Sequence, residues 1–79
     1  MKKTTKDKTR NLIGPRVRAA RQACRPPVSQ EDLSGRLARK GILLDRSAIS
    51  RIENRERYVM DYEIAAIAKC LRVKVASLF

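Results

Sequence analysis

Apolar residues recur at helical spacing along most of the chain. The first such stripe, with steps of four, three and four residues, consists of Ile13, Val17, Ala20 and Cys24. This spacing predicts a helix with one buried face. Its end is predicted at Pro26-Pro27, because the second proline disfavours helical angles in the residue before it.

Two further short helices are predicted in the middle of the chain. Ser29 offers a hydroxyl cap to a helix from about Gln30 to about Lys40, and Gly41 is a natural stop for it. Asp45 can cap the next helix. The inward positions of that helix are Ile49 and Ile52. The pattern thus predicts a helix, a linker and a second short helix.

The clearest apolar stripe belongs to a fourth predicted helix, which Asp61 is expected to cap. That stripe consists of Ile64, Ile67, Ala68 and Leu71. A short turn and the beginning of a fifth helix are expected to close the sequence around Val73, Val75, Leu78 and Phe79. Alternation of β-branched residues is too scarce to indicate a sheet, so the predicted fold class is all-α.

Size and composition argue against an enzyme. The chain has 79 residues, and a single small core of this size rarely supports a deep catalytic pocket. It has no histidine, which removes the commonest general base and a common metal ligand. We therefore expect no catalytic residue, no metal site and no cofactor.

The two cysteines and the N-terminus suggest a cytoplasmic protein. Cys24 and Cys70 are far apart in sequence, whereas metal and redox motifs usually bring cysteines in close pairs. The charged N-terminus is not followed by an apolar run, as a secretory signal would require. No run is long enough to cross a bilayer. Free thiols in a reducing cytoplasm and no membrane partner are expected.

Positive charge is concentrated near the N-terminus. Nineteen Lys and Arg against eight Asp and Glu give a net charge of +11. Residues 1–11 show no periodicity and are predicted to be a disordered arm, ahead of a folded domain at residues 12–79. The candidate DNA contacts of this arm are Lys2, Lys3, Lys6, Lys8 and Arg10. Such arms bind phosphate backbones by counterion release, although a merely solubilising tail is the alternative.

The outward face of the third predicted helix could read DNA bases. Its outward residues are Arg46, Ser47, Ser50 and Arg51. An α-helix fits the major groove, where Arg donates two hydrogen bonds to guanine and Ser can donate or accept. The alternative is an ordinary solvated helix face.

Four blocks of residues, in order over residues 13–79, resemble the phage-repressor helix-turn-helix family (Cro and C1 type, also called XRE). The blocks are Ile13-Gly14-x-x-Val17-Arg18-x-x-Arg21, Ser29-Gln30-Glu31-Asp32-Leu33, Ile49-Ser50-Arg51-Ile52-Glu53-Asn54 and Ile64-Ala65-x-x-Ala68-Lys69-x-Leu71-x-Val73-x-Val75-x-x-Leu78-Phe79. The resemblance implies a compact lambda-repressor-like bundle of four to five helices, containing a helix-turn-helix with a lengthened turn.

The resemblance also implies roles for individual residues. Arg46, Ser47, Ser50 and Arg51 would contact bases. Arg21 would form an ion pair with Glu53, which would turn Arg21 toward a phosphate. The full set of implied phosphate contacts is Arg21, Gln30, Asn54, Arg55 and Arg57.

The chain departs from the family pattern in two places that bear on DNA reading, and it also has two extra residues around Pro26-Pro27 in the first connection. The connection between the second and third helices is lengthened by the linker Gly41-Ile42-Leu43-Leu44. Arg55 stands where the family more often has Gly, so Asn54 is expected to take the left-handed conformation.

By this resemblance, the chain is expected to be a sequence-specific double-stranded DNA-binding transcriptional regulator, a repressor, in a bacterium or its phage. It would act as a homodimer, because one recognition helix reads only a few base pairs. Exposed parts of Val75, Leu78 and Phe79 are the candidate contact, and the alternative places all three side chains in the core. One alternative is an antitoxin or accessory factor that binds both DNA and a protein partner. Another is a protein-interaction module that has lost DNA reading. A small-molecule ligand is not expected.

Overall fold

The computed structural model describes residues 10–79, which form four α-helices and a final 3-10 helix. The α-helices are α1 (Gly14–Ala23), α2 (Gln30–Arg39), α3 (Arg46–Glu53) and α4 (Asp61–Leu71), and the 3-10 helix is Val75–Leu78. No strand occurs in residues 10–79, which confirms the all-α prediction. No helix in this part of the chain has the length and apolar content needed to cross a bilayer.

Two of the predicted helix caps are present. The Ser29 hydroxyl accepts a hydrogen bond from the Asp32 N–H at 2.9 Å, and the Asp32 carboxylate accepts one from the Ser29 N–H at 3.2 Å. This reciprocal pair is a capping box, and it fixes the start of α2. At α3, the Asp45 carboxylate accepts from the Ala48 N–H at 2.8 Å.

The prediction that Asp61 caps the fourth helix is wrong by one residue. Met60 occupies the N-cap position, and Asp61 is the first helical residue. The Met60 N–H donates to Glu63 Oε1 at 2.9 Å, so a carboxylate from inside the first turn reaches back to the cap. Asp61 still places a negative charge near the N-terminus of α4, where the helix dipole favours it.

Three helices end with a residue in the left-handed region. Gly41 follows α2 with φ +80, Arg55 follows α3 with φ +63, and Arg72 follows α4 with φ +59. After α3, the Glu56 N–H donates to the Arg51 carbonyl at 2.8 Å, a closing bond that requires the left-handed residue just before Glu56. The expectation that Asn54 is left-handed is therefore wrong, since its φ is −90.

One core joins all four helices. The largest fully buried side chains are Ile13, Val17, Leu33, Leu37, Ile49, Ile52, Ile67 and Leu78. α2 lies between α3 and α4, and α1 packs against α3 and the 3-10 helix. Leu78 belongs to this core, which corrects its prediction as a dimer contact, whereas Val75 and Phe79 remain exposed.

Gly14 permits the close approach of α1 to the end of α3. A Cβ at this position would overlap the backbone carbonyl oxygen of Ile52 and would lie 2.8 Å from that of Glu53. Because these atoms are backbone, no side-chain rotation could relieve the overlap. A glycine is therefore required where α1 begins.

Arg10 and Asn11, which the sequence prediction assigned to a disordered arm, contact the folded domain. Asn11 Oδ1 accepts from the Gly14 N–H at 2.8 Å, and its Nδ2 donates to the carbonyls of Ile52 and Arg57. Arg10 lies over the ring of Tyr58, 5.7 Å from its centroid. Arg10 and Asn11 therefore pack against the folded domain rather than forming part of a free arm. The arm contacts predicted at Lys2, Lys3, Lys6 and Lys8 lie outside the described residues.

Candidate nucleic-acid interface

α3 buries one side and exposes the other. Its inward residues are Ala48, Ile49, Ile52 and Glu53. Of its outward residues, Arg46, Ser47 and Arg51 are exposed and Ser50 is half-buried. The structure thus brings the four predicted base-contact residues to one side of a single helix. In the described part of the chain, none of these four side chains donates or accepts a hydrogen bond within the protein.

The predicted ion pair between Arg21 and Glu53 is present. Arg21 Nε donates to Glu53 Oε2 at 2.7 Å, and Arg21 Nη2 donates to Glu53 Oε1 at 2.9 Å. The carboxylate side chain is 0% exposed and the Arg21 side chain 11% exposed. This two-bond geometry fixes the last residue of α3 to α1.

Two more residues donate to the same carboxylate. Arg18 Nε lies 3.3 Å from Glu53 Oε1, and Gln30 Nε2 lies 3.1 Å from that oxygen. Burial alone would raise the pKa of the Glu53 carboxyl, but hydrogen bonds from Arg21, Gln30 and Arg18 and the charge of Arg21 outweigh it. The pKa of Glu53 therefore lies below its ordinary value, and the carboxylate is charged at neutral pH.

Gln30 stands at the first position of α2, close to α3. The N-terminus of a helix favours anions, because its backbone N–H groups point outward along the helix dipole. A cavity of about 310 Å³ opens here, lined by Arg21, Ser29, Gln30, Glu31 and Arg46. The predicted phosphate contact Gln30 and the predicted base contact Arg46 therefore border one hollow.

The guanidinium of Arg21, also predicted as a phosphate contact, is held mainly by the protein itself. Besides its two bonds to Glu53, it donates from Nη1 to the Val28 carbonyl at 2.9 Å. All three nitrogens of this nearly buried guanidinium donate to the protein itself. Arg21 thus has a structural role, and a phosphate contact from its two remaining N–H groups stays a prediction.

The other three predicted phosphate contacts follow α3. Their side chains differ in how far they are bonded to the rest of the protein. Asn54 is exposed at the C-cap of α3. Arg55 Nε donates to the Asn11 carbonyl at 2.9 Å, so its side chain is partly held by the N-terminal segment. Arg57 forms an ion pair with Glu63, with nitrogen–oxygen distances of 3.1 and 3.3 Å. Asn54 is consequently the freest of the three.

The Arg57–Glu63 pair sets the charge of a second buried acid. Burial by itself would raise the pKa of the Glu63 carboxyl, but hydrogen bonds from Arg57 and the Met60 N–H, together with the Arg57 charge, outweigh it. The pKa of Glu63 is lowered as a result. Glu63 thereby both starts α4 and holds the segment that follows α3.

The lengthened linker keeps α3 packed against α2. Leu44 is buried in the core and Ile42 is half-buried, whereas Leu43 is 86% exposed. A cavity of about 410 Å³ lies between the linker, α2 and α3, and Arg51 and Arg57 contribute to its wall. Ile42 and Leu44 therefore fix the lengthened linker against the core.

The sequence prediction missed Asn11 and Arg18 as parts of this site. Asn11 stands three residues before Gly14, which is the spacing of an N-cap, but it closes a run of charged residues that hides the signal. Arg18 precedes Arg21 by three residues, so both lie on one side of α1.

No cluster of His, Cys, Asp and Glu in residues 10–79 could hold a metal ion. Cys24 and Cys70 are both free thiols. Comparisons of the chain with known protein families, with curated proteins and with solved structures find no match.

Proposed function

We propose that this protein is a sequence-specific double-stranded DNA-binding transcriptional regulator, a repressor, that places α3 in the major groove. In this proposal α2, the linker and α3 form a lambda-repressor-like helix-turn-helix with a lengthened turn. The supporting observation is the contrast between the two sides of α3. One side is fixed in the core and by Glu53, while the other presents unengaged Arg and Ser side chains.

The chemistry of that outward side suits base reading. Arg46 and Arg51 can each donate two hydrogen bonds to guanine O6 and N7, and the serines can donate or accept at neighbouring bases. The only acid within α3 is Glu53, and it is buried under Arg21. A duplex approaching α3 would thus meet no exposed carboxylate from the helix itself.

Phosphate anchors flank the proposed reading helix. Gln30 and the amide groups at the start of α2 stand on one side, and Asn54 follows the end of α3 on the other. Contacts of this kind fix the register of a protein on DNA without reading sequence. They would hold α3 at a constant depth in the groove.

A homodimer on a two-fold operator forms part of the proposal. One recognition helix reads only a few base pairs, and two half-sites one helical turn apart supply the remaining specificity. Val75 and Phe79 are 44% and 57% exposed at the C-terminal end of the fold and would contribute to the dimer contact.

The proposal is tested by comparing Arg51→Ala with Gln30→Ala on duplexes that differ at single base pairs. Arg51→Ala is expected to cost about 1–3 kcal/mol on the preferred sequence and to relax preference at one position. Gln30→Ala is expected to weaken binding to all sequences alike. Arg16→Ala, which removes an exposed cation from α1, serves as the matched control. Equal losses on every sequence for both Arg51→Ala and Gln30→Ala would contradict the assigned roles.

A further inference from the structure

A second basic surface lies where the C-terminal ends of α2 and α4 meet. A cleft of about 470 Å³ opens there, and its walls are Arg36, Arg39, Lys40, Lys69, Cys70 and Arg72. All of these residues except Cys70 are positively charged, and no acid lines the cleft. We refer to the five cations as the α2/α4 basic surface.

Within the described residues, only one of these five side chains makes a hydrogen bond to the protein. Arg36 Nη1 donates to the Cys70 carbonyl at 3.1 Å and so satisfies a carbonyl in the last turn of α4. Cations near helix C-termini are favoured by the helix dipole, but that effect does not require five of them. Within the described residues, no ion pair joins any of the five to an acid. The remaining four side chains are exposed, and Arg39 also borders a cavity that Glu31 and Asp32 line.

The basic surface continues toward the start of the connection between α1 and α2. A neighbouring cavity of about 400 Å³ shares Arg36, Cys70 and Arg72 with the cleft and adds Arg25 to its wall. Six cations thus line two adjoining cavities. Charges spread over two cavities match an extended polyanion better than a single small anion.

This surface and the proposed reading helix lie on opposite flanks of α2. Ser34 and Ala38 line the cavity that α2 shares with the linker and α3. Arg36, in contrast, faces α4 and donates to Cys70. A duplex seated against α3 would therefore leave the other flank of α2 free for a different partner.

We propose that the α2/α4 basic surface binds the phosphate backbone of a second nucleic-acid segment, so that one molecule can hold two duplexes together. This inference rests on the proposed function, since it assigns the first duplex to α3. The cleft itself is lined by the five cations and the buried Cys70, so a partner seated in it would contact mainly charge, whereas the apolar Pro26, Val28 and Leu71 line only the neighbouring cavity. Phosphodiesters require charge alone, and the surface supplies it.

The test is a capture assay with an immobilised duplex and a second, labelled duplex in solution. The full chain is compared with the double variant Arg39→Glu/Lys69→Glu, which reverses two exposed charges of the surface. The control variant Arg16→Glu/Lys74→Glu reverses the same number of exposed charges outside the cleft. Circular dichroism melting checks that both variants are folded.

Wild-type protein and the control variant are expected to capture the labelled duplex. Arg39→Glu/Lys69→Glu is expected to lower capture by about tenfold or more, because two phosphate contacts are lost. Its affinity for the immobilised duplex should change far less. If capture is unchanged in this variant, the two duplexes are bridged by the two α3 helices of a dimer, and the inference is overturned.

Failure of the inference can be told apart from failure of the proposed function. If wild-type protein binds the immobilised duplex but captures no second one, the proposed function stands and the bridging inference is overturned. If both double variants lose capture equally, net charge alone explains the effect. The bridging inference is then also overturned. If wild-type protein binds no duplex at all, both proposals fail together.

Discussion

At the residue scale, the side chain of Glu53 determines how α3 is held. Its two oxygens accept hydrogen bonds from three side chains on two other elements, Arg18 and Arg21 of α1 and Gln30 of α2. A buried carboxylate is costly unless it is paired and bonded in this way. Glu53 thus links the end of α3 to both neighbouring helices.

Replacing Glu53 by alanine is expected to destabilise the fold strongly. The substitution leaves the guanidinium of Arg21 buried without its carboxylate, and breaking a buried pair costs about 3–5 kcal/mol. Urea unfolding followed by circular dichroism measures the effect. Glu31→Ala, which removes an exposed acid from the first turn of α2, is the control and should cost less than about 1 kcal/mol. Similar unfolding midpoints for both variants would show that the Glu53 pair is not structural.

Acid is expected to destabilise the protein through the same carboxylate. The pKa of Glu53 in the folded chain lies below its ordinary value of 4.5, so the unfolded chain binds more protons at mildly acid pH. The stabilisation is complete above the ordinary value and is lost as the pH falls through the lowered pKa. Glu63 has a lowered pKa as well and adds to the same loss.

This pH dependence can be assigned by comparing wild-type protein with Glu53→Gln. Unfolding midpoints in urea, measured between about pH 3 and pH 6, should fall less steeply with acid in the variant. Because Glu63 is still present, some dependence of the unfolding midpoint on pH should remain in the variant. Identical pH profiles would mean that Glu53 has the same pKa in the folded and unfolded chains.

At the element scale, the ends of the helices show what local sequence can predict. Ser29 and Asp45 cap α2 and α3 as predicted, because an N-cap bond forms between residues three apart. The sequence does not locate the left-handed residue after α3, since neither Asn54 nor Arg55 is a glycine and the two residue types do not decide between the positions. The backbone bond from Glu56 to the Arg51 carbonyl decides it.

Arg72 provides a test of the cost of a left-handed arginine. It follows α4 with φ +59, a conformation that disfavours any residue with a Cβ by about 1–2 kcal/mol relative to glycine. Arg72→Gly is therefore expected to raise the free energy of unfolding by about 1 kcal/mol. Arg72→Ala, the control, removes the same charge but keeps the Cβ, so it should give no gain. A gain of equal size in both variants would attribute the effect to charge.

The long-range contacts of the candidate site were less predictable than the helices. The sequence indicates the Arg21–Glu53 pair only through a family resemblance, and nothing local shows that Arg21 is buried and also bonded to Val28. The role of Asn11 is not visible in the sequence because its partners, the carbonyls of Ile52 and Arg57, are distant along the chain. Both features depend on how α1 packs against α3.

At the scale of the whole molecule, folding brings together positively charged residues that are far apart in the sequence. Counting along the chain places the excess of basic residues in the first third. The α2/α4 basic surface is assembled from residues between Arg36 and Arg72, which are brought together only when α2 packs against α4. The folded domain thus carries cations on both flanks of α2.

Whether α3 reads DNA sequence is decided by selection from a random duplex library near physiological salt. The protein is incubated with the library, and the retained duplexes are sequenced. If α3 enters the major groove as proposed, a half-site repeated with two-fold symmetry about one helical turn apart will be enriched. Retention without any sequence preference, or no retention, would contradict it.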